Sequence, residues 1–273
     1  MERLAATPVG DPLDDGAPAV VEALLSALEA GSIRAAERGS NGAWRAVPWV
    51  KAGILLVFRA GHLADMSPAE GPFRFFDNHT LPAQRLEIAQ RVRIVPGGST
   101  VRRGARLSPG VVCLPPAYVN IGAWVGADTM IDSHALVGSC AQVGARVHLS
   151  AASQVGGVLE PIHATPVVIE DDVFVGGNCG IYEGTVVRER AVLASGVIIT
   201  RAVPVFDLVR ERVYRAAEGE PLEIPAGAVV VPGARTIRSG WGAEQHLALQ
   251  TPVIVKYRDS DTDASTELER WMR

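Results

Sequence analysis

Residues 118–155, YVNIGAWVGADTMIDSHALVGSCAQVGARVHLSAASQV, place an aliphatic side chain at every sixth position: Val119, Val125, Ile131, Val137, Val143, Leu149 and Val155. The same step runs back through Cys113, Leu107 and Val101 to Val95, and after GVLEPIHATPVV (157–168) it resumes at Ile169, Val175, Ile181, Val187, Leu193 and Ile199. A second column, four residues after each aliphatic, is mostly small: Thr129, Ala135, Ala141, Val147, Ser153, then Val173, Cys179, Thr185, Ala191 and Val197. A period of six matches neither a helix nor a plain alternating strand. It suits a triangular coil of short strands, in which each side turns one large and one small residue inward and stacked coils share one dry core. Glycine recurs just past the aliphatic residues, as at Gly122, Gly126, Gly138, Gly144, Gly156 and Gly176, where sharp corners need permissive dihedrals. At roughly 1.5–3 kcal/mol per fully buried aliphatic side chain, the columns dominate stability.

Working outward, residues 1–90 read as a small mixed α/β or helical domain, with 1–16 disordered. Pro18 to Arg38 carries Val20, Val21, Leu24, Leu25 and Leu28 on one helical face, and Gly31 is placed to interrupt it. VPWVKAGILLVFR (47–59) fits helix or strand. The coil occupies 91–233, with an inserted loop at 157–166 and a hairpin-like excursion at 205–223. Ile224 and Val230 rejoin the period, and 234–273 form an extension with a strand at TPVIVKYRD and a short helix over Asp261–Arg273.

Composition agrees. The 273 residues include 28 Gly and 18 Pro but only 5% aromatics, as expected of many corners around a narrow aliphatic interior. With 26 basic and 30 acidic residues the formal charge is −4, and no basic run points to nucleic acid or a membrane surface. Three cysteines without CxxC spacing argue against a disulfide framework. Cys113 and Cys179 fall in inward columns, whereas Cys140 falls outside them. The N-terminus lacks the basic and apolar regions of a signal peptide, and a soluble cytoplasmic protein is expected.

The hexapeptide register resembles left-handed parallel β-helix acyltransferases. Longer strings, PPAYVNIGAWVGADTMIDSHALVGSCAQVGARVHLS, GGVLEP and PVVIEDDVFVGGN, together with WRAVPWVKAGILLVFR, PAGAVVVPG and VIVKY, closely resemble the tetrahydrodipicolinate N-succinyltransferase family over residues 44–257. The resemblance implies the left hand of the coil and a homotrimer with sites between neighbouring coils. It also implies a reaction in which succinyl-CoA, a co-substrate and not a resident cofactor, acylates the amino group of ring-opened tetrahydrodipicolinate on the route to diaminopimelate and lysine.

By the same resemblance, the family's substrate-binding arginine falls on Arg93 in RIVP and its catalytic or substrate-binding aspartate on Asp132 in MID. Asp132 also takes a slot that holds glycine at Gly126, Gly138 and Gly144; an Asx-turn closing the corner is the plain alternative. For Arg93 the plain alternative is a solvated surface residue. A backbone N–H at Gly156 or Gly157 is the expected donor to the thioester oxygen, and Lys256 and Arg235 are candidates for the CoA phosphates. Two departures stand out: His134 replaces the family's Trp, and Gly180 replaces its second acidic residue. Glu183 is a possible compensating carboxylate and His134 an alternative base. Three other readings remain: the same fold using acetyl-CoA or another amino-acid acceptor, a non-catalytic β-helix module, and a zinc-dependent carbonic anhydrase on this coil. The last needs three clustered histidines, and the spacing of His134, His148 and His163 suits it poorly, so no metal is expected.

Overall fold

The structure, a computed structural model, describes Leu4 and residues 12–259. Most of the segment expected to be disordered at 1–16, and all of the helix expected at 261–273, lie outside the described residues.

The first described helix, α1 (Ala17–Ala30), has a proline in its first turn and buries Val21, Leu24, Leu25 and Leu28. Gly31, at φ 77°, ends it where the sequence places an interruption, so the helix does not run on to Arg38. Past this left-handed residue the chain reverses, and Ala36–Arg38 becomes a strand paired antiparallel with Trp44–Ala46. The ambiguous apolar stretch is helical: α2 (Pro48–Arg59) buries Val50, Ile54 and Val57, one helical face set against α1. A second hairpin, Leu63–Asp65 with Phe76–Asn78, leads to the coil.

The coil is a β-helix of two-residue strands in three parallel sheets. Strands pair with those 18 residues on, Trp124 with Gln142, Met130 with His148 and Leu136 with Gln154. The inward aliphatics from Val119 to Val155 are fully buried, and the small second column packs beside them. Cys113 and Cys179 lie in this core. Cys140 instead belongs to a second core, between the coil and the two helices.

Two details of the sequence reading change. Ile94, not Val95, pairs with Cys113, because the turn through Gly97 (φ 142°) and Gly98 (φ 96°) makes the first coil one residue longer. The left-handed corner also lies elsewhere than expected, at Asp128, His134, Cys140, Arg146 and Ala152, with φ 55–65°. Gly122, at φ 74°, shares that corner position, but Gly126, Gly138, Gly144 and Gly176 have other backbone conformations. They are glycine because a Cβ would come within 2.2–2.7 Å of main-chain atoms in the next coil. Close stacking, not dihedral freedom, selects them.

Two insertions leave the register intact. Through the loop at 157–166, His148 pairs with Phe174, 26 residues on, and through the excursion Val186 pairs with Glu223. The excursion contains the hairpin Val205–Asp207 with Arg212–Tyr214. Strand Ala228–Thr236 begins in the coil and runs past the boundary expected at 233, pairing antiparallel with Ala248–Tyr257. Tyr257 Oη donates to Asp207 (2.6 Å), tying the excursion to this last strand.

The N-terminal part covers one face of the prism. Arg34 lies 4.0 Å over the Trp124 ring and donates to Gln142 (2.9 Å), while Trp44 donates to the buried Glu170 (2.8 Å), which also pairs with Arg188. The residues singled out from sequence lie on the other two faces. Among the described residues no helix is long and apolar enough to cross a membrane.

Candidate functional site

Alternation along a strand turns both neighbours of an inward residue outward. Met130 and Asp132 thus flank Ile131 on the outer face of the largest sheet, where the stacked strands also present Arg93, Val112, His148 and Phe174. The longer first coil puts Arg93 in line with Met130 and His148. Arg93, Asp132, His148, Ser150 and Ser195 line one cavity of about 590 Å³. Arg93 stands two strands from Met130, about 10 Å at the usual strand spacing.

The Asp132 carboxylate is partly exposed. Oδ1 accepts from the Ser133 N–H (2.7 Å), and Oδ2 lies 4.0 Å from Nε2 of His148. One oxygen therefore bonds the next residue's main chain, which is not the bond two residues on that an Asx-turn needs, and the other faces His148. His148 is 5% exposed and packs against the Phe174 ring at 5.2 Å between centroids. Sequence reasoning treated His148 only as a poor metal ligand. The signal that could have found it is the 18-residue coil, which sets Ser150 over Asp132 and His148 over Met130.

Gly156 and Gly157 lie on another sheet face, at a cavity of about 1000 Å³ lined by the loop residues Val158, Glu160 and His163 and by Tyr182, Glu183 and Arg201. The Gly156 N–H is committed to the Ile181 carbonyl (2.8 Å), and Val158 N–H to Ser139 (3.2 Å). Between them, the Gly157 N–H has no intrachain partner among the described residues. Gly180 is covered by Tyr182: a Cβ there would meet the ring at 2.5 Å, so aromatic carbon fills the space where the resemblance leads one to expect an acidic side chain. Glu183 is exposed and accepts from the Arg201 N–H (2.7 Å).

Other candidates stand apart. His134 occupies an exposed left-handed corner (φ 63°) rather than a place in the Asp132 cavity. Lys256 is on strand Ala248–Tyr257, paired with Asp259 at 3.3 Å, in a different sheet from Gln154–Val155, the strand that leads into Gly156 and Gly157. Arg235 is in the C-terminal hairpin with Arg238. The cation at the glycine cavity is Arg201, which sequence reasoning passed over; it follows Thr200 at the corner after inward Ile199. Among the described residues no group of three His, Cys, Asp or Glu is placed to hold a metal ion.

Burial pushes the Cys113 and Cys140 thiols up to about 12, in Cys140 against the opposing effect of Lys51. Neither is a poised nucleophile, since the thiolate is the reactive form.

Comparison with known proteins fits this architecture. Residues 11–60 match a model described as tetrahydrodipicolinate N-succinyltransferase N-terminal, and 166–201 match a hexapeptide repeat of succinyl-transferase. The chain is 40% identical over 259 residues to a 2,3,4,5-tetrahydropyridine-2,6-dicarboxylate N-succinyltransferase of Polynucleobacter asymbioticus, covering 93% of this chain and 88% of that protein. It is 40% identical over 258 residues to the protein of the same name from Acinetobacter baylyi, with the same coverage. For that of Bradyrhizobium diazoefficiens the identity is 38% over 265 residues, covering 93% and 89%. With a stacked hexapeptide coil, an N-terminal part that packs on it and relatives alike over nearly their whole length, the chain belongs to the tetrahydrodipicolinate N-succinyltransferase family.

Proposed function

We propose that this protein is a CoA-dependent N-acyltransferase that moves the succinyl group of succinyl-CoA to the amino group of ring-opened tetrahydrodipicolinate, giving N-succinyl-2-amino-6-oxopimelate and CoA. The observation that carries this reading is that Arg93 and Asp132, from strands two apart in one sheet, line the same cavity with a guanidinium and a carboxylate. An acceptor with a carboxylate at one end and an ammonium at the other matches that pair. Arg93 pairs with the carboxylate through its planar fork. Asp132 holds the ammonium and takes one proton from it, which frees the nitrogen lone pair for attack; that proton then passes to solvent. The N–C bond forms, the C–S bond breaks, and the sulfur leaves as the CoA thiol, taking up the second proton that the nitrogen loses on becoming an amide. The Gly157 N–H is the donor for the developing oxyanion.

Asp132 and Gly157 occupy different faces of one chain, which supports a homotrimer in which one subunit's Asp132 face meets the donor face of a neighbour. The second reading is the same chemistry with acetyl-CoA or another amino-acid acceptor, and Tyr182 over Gly180 is the observation that favours it. A thiol-release assay with the ring-opened acceptor separates the two. Faster turnover with succinyl-CoA supports the first, equal or faster turnover with acetyl-CoA supports the second, and no release with either donor across amino-dicarboxylate acceptors defeats both.

A further inference from the structure

Lys51, on α2, is fully buried, and the chemistry above makes no use of it. Its Nζ donates to two carbonyl oxygens, Pro161 at 3.0 Å and Ala164 at 2.8 Å. Both belong to the loop that interrupts the coil. An ammonium group withdrawn from water is tolerated where strong acceptors replace its hydration. Here the acceptors come from the main chain of a single surface loop. Burial lowers the Lys51 pKa, and Cys140 lies close enough to oppose that shift. The loop's Leu159 packs into the same interdomain core.

The other side of this loop forms the wall of the glycine cavity, through Val158, Glu160, His163 and Thr165 facing Tyr182 and Arg201. Loops over a scaffold are ordinarily held weakly. This one is gripped from behind by a charge on a helix of the N-terminal part. We propose that Lys51 is a positioning residue for the acyl donor: by fixing the 161–164 main chain it sets the wall against which the CoA thioester lies beside the Gly157 N–H. The inference rests on reading that cavity as the donor side, as above.

The test is Lys51→Met, which keeps the stem and removes the donors. The Michaelis constant for succinyl-CoA is expected to rise about tenfold, the scale of a lost charge-assisted hydrogen bond. The acceptor Michaelis constant and kcat at saturating donor stay near wild type, while amide exchange at 162–165 accelerates. Lys51→Gln, with N–H donors on a shorter stem, is expected to fall between the two. A folded Lys51→Met protein with an unchanged donor Michaelis constant overturns the proposal. So does a parallel loss of donor and acceptor binding, and so does failure of both variants to fold, since the lysine then serves stability alone. If wild-type protein releases no CoA from succinyl- or acetyl-CoA, the donor-side reading fails first and takes this inference with it.

Discussion

Nε2 of His148 lies 4.0 Å from Oδ2 of Asp132, the oxygen not engaged by Ser133. The two residues are 16 apart in the chain but neighbours across adjacent coils. Asp132→Asn is expected to lower kcat by ~10²–10⁴ with the donor still bound, the scale of lost general-base assistance. His148→Asn is expected to retain more turnover than Asp132→Asn, because the ring borders the carboxylate at 4.0 Å and is not itself the base. Steady-state kinetics checks both, and near-normal turnover in Asp132→Asn removes the residue from the chemistry.

Arg93 gains its place from the longer first coil. Arg93→Lys keeps the charge and loses the planar fork, so the acceptor Michaelis constant is expected to rise about tenfold with the donor constant unchanged. An acceptor constant equal to wild type returns Arg93 to the solvated surface.

Gly138 and His134 separate two reasons for a corner residue. A Cβ at Gly138 meets the Gly157 nitrogen at 2.2 Å, so Gly138→Ala is expected to cost about 1–3 kcal/mol through overpacking. His134 has a left-handed backbone, so His134→Gly is expected to fall within about 1 kcal/mol of wild type, relief of the Cβ offsetting the added chain freedom. Urea unfolding measures both. His134→Gly is also expected to keep full turnover; its loss would restore the histidine as a base.

The buried thiols make stability depend on alkaline pH. Cys113 and Cys140 have ordinary values near 9 when unfolded and about 12 when folded. Between these values the unfolded chain has given up thiol protons that the folded chain keeps, so unfolding becomes easier as pH rises. This contribution is intact below pH 9 and declines from pH 9 to 12. Urea midpoints across that range are expected to fall, less steeply in Cys140→Ala. At neutral pH the folded protein is expected to resist maleimide, while the unfolded chain reacts at all three cysteines.

The coil was legible because its defining contacts repeat. An inward aliphatic every sixth residue is local chemistry, and Val119 through Val155 show it without help from distant contacts. The helix Pro48–Arg59 was not: an apolar run is compatible with helix or strand until something packs against it, and here α1 does. The glycine reading failed for a related reason. Gly138 and Gly122 look alike in the chain, yet the first answers to a backbone in the next coil and the second to its own dihedral.

The candidate residues divide along the same line. The motif strings singled out Arg93, Asp132 and Gly157, but they could not tell that the Gly156 N–H is consumed by Ile181 or that Lys256 sits on another sheet from the strand that leads into the glycines. By itself the sequence determined the pitch and the core columns, because each depends on residue type at a fixed step, while the family rested on the resemblance of its longer motif strings. The tertiary structure alone decided which outward residues meet. His148 beside Asp132, Tyr182 over Gly180 and Lys51 behind the loop depend on the stacking of one coil on the next and on the face that the N-terminal part covers.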